Sequence, residues 1–190
     1  MKEEFSPQQS IQLIQSMITN AKTNLSDNRF YFLLWGWVTF LAIISQFLLK
    51  VVFLSEHHYA VWFIVIPAVI ATVIYSVKKS RKVKVVTYVG ESMRYLWTGI
   101  GVSFFILSLI ITNTTGWLHA YPFFILFYGL GTFVSGMILK FKPLVVGGII
   151  NWVLAITCIF VHYDYQLLLA AAAILTSYII PGHLLANRKA

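Results

Sequence analysis

Four histidines, His57, His58, His119 and His162, fall at the ends of apolar runs, with Glu56 and Asp164 close by. Imidazole nitrogens and carboxylate oxygens are ordinary zinc ligands, and a site needs about three or four of them. If the chain brings these ends together, His57, His58, His119, His162 and Asp164 form a candidate metal set. Their spacing matches no metal motif, and polar residues at wet helix ends account for them without a metal, so no metal site is assigned. His183, in "YIIPGHLL", reads as a hydrated residue at a helix end. Asn151 is the strongest polar residue deep in an apolar run and is expected to bond to a neighbouring helix. Pro67, Gly129 and Asn151 are the residues expected near a central cavity if the chain moves a solute. No Ser–His pair or paired carboxylates occur at helical spacing, and the six acidic residues are scattered. No catalytic residue and no cofactor is assigned, and an enzyme is not expected. Cys158 stands alone, which excludes an intramolecular disulfide and a cysteine-rich metal site.

The elements that must position these residues are apolar and long. Hydrophobic residues make up 59% of the 190-residue chain and charged residues 11%, unlike a soluble domain, where charged residues reach about 25%. A spanning helix needs about 20 mostly apolar residues. Six runs qualify, at about 31–53, 59–77, 95–112, 117–139, 143–161 and 165–186. Backbone in hydrocarbon must satisfy its own hydrogen bonds, so each is expected to be helical. The predicted fold is an all-α polytopic bundle of six transmembrane helices, residues 30–190, after a cytoplasmic amphipathic helix, residues 1–29.

Charge sorts by side. The segments on one side of the six runs hold thirteen of the fourteen Lys and Arg residues, and Lys50 is the one on the other side. The positive-inside rule then places both termini in the cytoplasm. Five of the thirteen, Lys78, Lys79, Arg81, Lys82 and Lys84, form the run "KKSRKVK" directly after the second span. Its position makes it a topology determinant, with added attraction to anionic lipid. It is short and has no interleaved aromatics, which argues against nucleic acid as a partner. Trp35, Trp37 and Trp97 fall near predicted inner ends, Trp62 and Trp117 near outer ends, and Trp152 within the fifth span as a packing residue.

The N-terminal segment opens "SPQQ", with Ser6 as helix cap, Pro7 in the first turn and Gln9 in the capping-box position. Ile11, Ile14, Met17, Ile18, Ala21 and Leu25 follow at helical spacing. Residues 85–94 extend the third helix, with Glu91 and Arg94 spaced to pair. Small residues predict close helix contacts at Gly129, Thr132 and Gly136, at Ala170, Ala173 and Ser177, and at Gly99 and Ser103. Pro67 is expected to kink the second span and Pro181-Gly182 to break or end the sixth. A shift of 62 residues matches Leu34-Trp35 to Leu96-Trp97 and Pro67 to Gly129, suggesting that the first two hairpins are related.

"RFYFLLWGWVTFLAIISQFLL" after "SPQQSIQLIQSMI", with the closing "YIIPGHLL", resembles a group of small, uncharacterised six-span bacterial inner-membrane proteins. The resemblance implies a bacterial inner-membrane setting and carries no site residues. The three-hairpin layout is also similar to mitochondrial carriers, but their Pro-x-Asp/Glu-x-x-Lys/Arg signature is missing at every odd-helix end. The expected function is non-enzymatic, through protein contacts at the cytoplasmic face. The alternative is a small transporter or channel for a neutral or weakly charged solute. The partners implied are the lipid bilayer and a cytoplasmic protein or a second copy of the chain.

Overall fold

The computed structural model describes residues 29–82, 88–114, 116–117 and 120–187. The predicted N-terminal amphipathic helix, Lys84 and His119 lie outside the described residues. Within them the chain is all-helical. Helix α1, Arg29–Val52, ends in a π-helical turn, Leu48–Val52. A 3-10 segment, His58–Ile64, leads into α2, Val65–Lys82. Then come α3, Tyr88–Asn113, α4, Ala120–Ile138, and α5, Lys142–Cys158. Helix α6, Tyr163–Ile174, passes through a second π-helical turn, Leu175–Ile179, into α7, Ile180–Asn187.

Among the described residues, five rods are long and apolar enough to cross a membrane: Arg29–Val52, His58–Lys78, Tyr88–Asn113, Ala120–Ile138 and Tyr163–Leu185. Helix α5 is apolar but has 17 residues, the lower edge of spanning length. Residues 95–112 are the later part of the longer helix α3. At its start Glu91 and Arg94 pair at 3.5 Å in an exposed position, where such a pair contributes little.

Three helix ends share one device. A residue turns to positive φ after α1 (Leu54, 49°), α3 (Gly116, 69°) and α4 (Lys140, 49°). Near each, a backbone N–H reaches back five residues: Phe53 to Leu48, Gly116 to Ile111 and Phe141 to Gly136. These bonds satisfy carbonyls that a helix end leaves open. The turn after α4 is so short that α5 must run back antiparallel beside it.

The core sits where α1, α4, α5 and α6–α7 meet. On α5 the buried residues are Leu144, Gly147, Gly148, Asn151, Ala155 and Cys158, a single helical stripe. A Cβ added to Gly148 would stand 2.7 Å from the Phe133 backbone nitrogen and 2.8 Å from Gly129 O. One added to Gly147 would stand 2.8 Å from Thr176 O. Only glycine lets α5 approach α4 on one side and the α6 π turn on the other. The stripes Gly129–Thr132–Gly136 and Ala170–Ala173–Ser177 are buried in this seam. Among the described residues the third expected seam does not form: an added Cβ at Gly99 meets nothing within 4 Å, and the Ser103 hydroxyl donates back to Gly99 O.

Pro181-Gly182 marks a break in the sixth rod and not its end: the π turn just before it changes the hydrogen-bond spacing, and the helix resumes at Ile180 with Pro181 in its first turn. There the missing N–H costs little. The Thr176 and Ser177 hydroxyls donate to Ala172 O (2.9 Å) and Ala173 O (2.6 Å), covering carbonyls at the change of winding. Pro67 lies in the first turn of α2, after the 3-10 segment, rather than within a continuous helix.

Candidate functional site

The buried face of α1 carries Phe32, Gly36, Thr39, Ile43 and Gln46 at spacings of three and four. This stripe points the Gln46 amide into the end of the bundle, where its Oε1 accepts from Trp62 Nε1 at 2.7 Å and from the Tyr121 hydroxyl at 3.1 Å. Its Nε2 lies 3.4 Å from His58 Nδ1. One buried amide therefore ties α1 to the 3-10 segment and to the start of α4.

One turn further on, inside the π-helical turn, Lys50 Nζ donates to Asp164 Oδ1 at 2.5 Å. The two side chains are only 26% and 29% exposed. The ammonium also lies 3.8 Å from the centre of the Tyr163 ring, a favourable place for a cation. His162 Nδ1 lies 3.5 Å from Asp164 Oδ2. The pair joins residues 114 apart in sequence and closes α1 onto the first turn of α6. A half-buried pair costs more to break than a surface pair, because the remaining charge stays poorly solvated.

A second polar group lies deeper. Asn151 is fully buried. With its amide turned so that both ends find partners, Nδ2 donates to Ala173 O at 3.1 Å and Gly147 O at 3.3 Å. The Ser177 hydroxyl, 3.2 Å from Asn151 Oδ1 and 2.6 Å from Ala173 O, has one proton to share between them. The amide thus joins α5 to α6 at the π turn.

Beside the Lys50–Asp164 pair, between α4, α5 and α6, lies a cavity of about 660 Å³. Its wall includes Leu126, Trp152, Ile156, Ile159, His162 and Gln166. The Gln166 amide donates 3.0 Å bonds to Cys158 O and Val161 O, capping the end of α5.

The sequence-predicted residues divide among these places. His58 joins the Gln46 network and His162 the Asp164 group, while His57 is exposed, its ring 6.2 Å from that of Tyr59. Among the described residues, no three His, Cys, Asp or Glu side chains come together as a metal site would need; Asp164 instead pairs with a lysine. Gly129 and Asn151 meet in the α4–α5 seam, where an added Gly129 Cβ would lie 3.0 Å from Asn151 Cβ. Pro67 is exposed on α2, and none of the three lines the cavity. Trp152 packs its ring 5.0 Å from that of Phe133. In the basic run, Lys78 is exposed near the end of α2, and Lys79, Arg81 and Lys82 continue that helix.

Sequence reasoning misses Gln46 and the Lys50–Asp164 pair. Their signals are present: Gln46 continues the spacing of the buried α1 stripe, and Lys50 is the one Lys or Arg between Arg29 and Lys78. The chain matches no family model, no curated protein and no solved structure.

Proposed function

We propose that the chain is a six-span protein of the bacterial inner membrane, with both termini in the cytoplasm, acting without catalysis through protein contacts at its cytoplasmic face as a scaffold, sensor or regulatory subunit. Helix α5 serves as the short fifth span, and the partition of thirteen cations against one sets the orientation.

One observation carries the reading. In sequence the basic run falls between the two least buried spans, whose 18-residue apolar stretches are 6% and 11% buried, against 33–56% for the other three. Among the described residues α2 is held to α1 at a few points, Trp35 Nε1 to Thr72 Oγ1 at 3.1 Å and the Phe30–Tyr75 stack at 3.9 Å, while α3 packs Phe104 against Phe124 and Tyr128 of α4. A partner gripping the basic run would work against little packing of α2.

The test is a photoreactive amino acid at Arg81 or Lys84 in intact cells, with Phe160→Cys labelling as a check on topology. A discrete protein adduct, lost when the five basic residues become Gln while topology holds, is the expected result. Adducts to lipid alone would overturn the reading. The alternative, transport of a neutral solute, draws on the buried side chains of Thr39, Thr132 and Ser135. Saturable uptake of such a solute into proteoliposomes would favour it over the first reading.

A further inference from the structure

In a bilayer, α5 stands at the short limit for its place. Its 17 residues span about 26 Å at 1.5 Å per residue, against a hydrocarbon core of about 30 Å. Its neighbours α4 and α6 stand on either side of the shortfall. The cavity lies there, lined at the end of α5 by Ile156, Cys158, Ile159 and Val161, and walled by Leu126 of α4 and the Gln166 turn of α6. Its flank is open to the surroundings of the bundle, because Leu126, Ile156 and Ile159 are all exposed apolar residues.

Two features identify what fits. Most of the wall is apolar side chain from three helices, and the Gln166 amide nitrogen in it already donates to Cys158 O and Val161 O, so water finds few partners there. The rim is polar: His162 and Tyr163 line its edge, and Tyr163 abuts Lys50 of the Lys50–Asp164 pair. An apolar trough that ends at a polar rim has the two-part chemistry of a membrane lipid. The volume, about 660 Å³, falls within the range of about 300–1,000 Å³ common for ligand sites.

We infer that this notch seats one acyl chain of an outer-leaflet phospholipid, which fills the space left by the short fifth helix and holds its headgroup beside His162 and Tyr163. The inference rests on the six-span reading, since α5 must cross for the notch to lie at hydrocarbon depth. A short span otherwise thins the bilayer or recruits a neighbour; a seated chain relieves the mismatch without either.

The experiment uses the full chain in phosphatidylethanolamine–phosphatidylglycerol vesicles with a trace of phospholipid bearing a diazirine on one chain. After irradiation, adducts are mapped by peptide mass spectrometry. Labelling of Leu126, Ile156 and Ile159 is expected to exceed that of Val69 and Val73, on the open face of α2, several-fold. The excess is expected to vanish in Ile156→Trp, which fills the trough from an exposed position, and in Leu126→Trp as an independent filling variant. Equal labelling of the notch and of α2 overturns the inference, as does protein-to-protein crosslinking through the notch in place of lipid adducts. Maleimide labelling of Phe160→Cys and Lys78→Cys from the same membrane side would instead overturn the six-span reading, so the two failures are distinguishable.

Discussion

The rod of α2 and the rod of α6 and α7 are nearly equal in length, at 21 and 23 residues, yet the 18-residue apolar stretch of the first is 6% buried and that of the second 56%. The more exposed rod is also the more apolar of the two. In water this order would be a defect. In a bilayer it follows from the solvent, because lipid tails are as apolar as leucine and give no drive to hide a valine. What brings membrane helices together is close packing of small residues and hydrogen bonds between them. The α6–α7 rod has Ala170, Ala171, Ala173 and Ser177 on its buried face and a bond to Asn151. Helix α2 offers Ile66, Val69, Ile70, Val73 and Ile74, all exposed, and among the described residues a side-chain bond to α1 through Thr72.

The comparison breaks most sharply at Gly148. Gly148→Val puts a branched side chain where even one carbon would stand 2.7 Å from backbone. The cost is expected to exceed about 3 kcal/mol, the upper end for overpacking, since backbone cannot rotate aside. Thermal unfolding in detergent should show a variant that fails to fold or melts far lower. Gly101→Ala on α3, where an added Cβ meets nothing within 4 Å, is expected to hold or raise stability through helix propensity. Equal loss at the two glycines would mean that α3 is covered by something else.

Asn151→Ala comes next. It removes two bonds to carbonyls of α5 and α6 and leaves a small void among Gly129, Ala173 and Ser177. A loss of about 1–2 kcal/mol is expected, at the upper end for hydrogen bonds between membrane helices. Steric trapping or denaturant unfolding in bicelles would measure it.

Much of this architecture is legible in the amino-acid sequence. Helical class follows from run length, and two of three small-residue seams lie where the spacing puts them, because a spacing of three and four is a local property. The Gly99–Ser103 seam does not, since the same spacing reads alike whether or not a neighbour covers it. The prolines mark where regular α-helix is interrupted but not how: a π turn precedes Pro181 and a 3-10 segment precedes Pro67, and no residue type signals either winding. The expected repeat of the first two hairpins pairs Pro67 with Gly129, but the first is exposed and the second lies in the core seam. For the candidate site, residue type singles out His58, His162 and Asp164, but as metal ligands. Only the fold shows that Lys50 takes Asp164 and Gln46 takes His58, since the chain separations give no warning of the pairing.

That ion pair sharpens the comparison where α1 meets the first turn of α6. Lys50→Met leaves the Asp164 carboxylate half-buried beside Tyr163, with His162 as its remaining close partner. Destabilisation of about 1–3 kcal/mol is expected, between the values for surface and buried pairs. Asp164→Asn in the same chain should recover most of it, since the amide carries no charge to strand. A double-mutant cycle by thermal unfolding measures the coupling; additive losses would mean that the two groups do not sense each other in the bilayer.

The smallest expected effect tests the premise most directly. Val73→Ala on α2 removes two methyl groups from an exposed position, 55% accessible. In a soluble protein's core such a deletion leaves a cavity, and the cost grows with its volume. Against lipid no cavity survives, because acyl chains close over the shorter side chain. The change should therefore stay within about 0.5 kcal/mol, as for surface substitutions. Ala173→Val on the buried face of α6, 1% exposed, adds the same two methyl groups at a seam and should cost about 1–3 kcal/mol. Measured together in one bicelle preparation, the pair separates solvent from packing. If Val73→Ala were as damaging as the change at Ala173, α2 would be pressed against protein, and a second copy of the chain would be the first place to look for it.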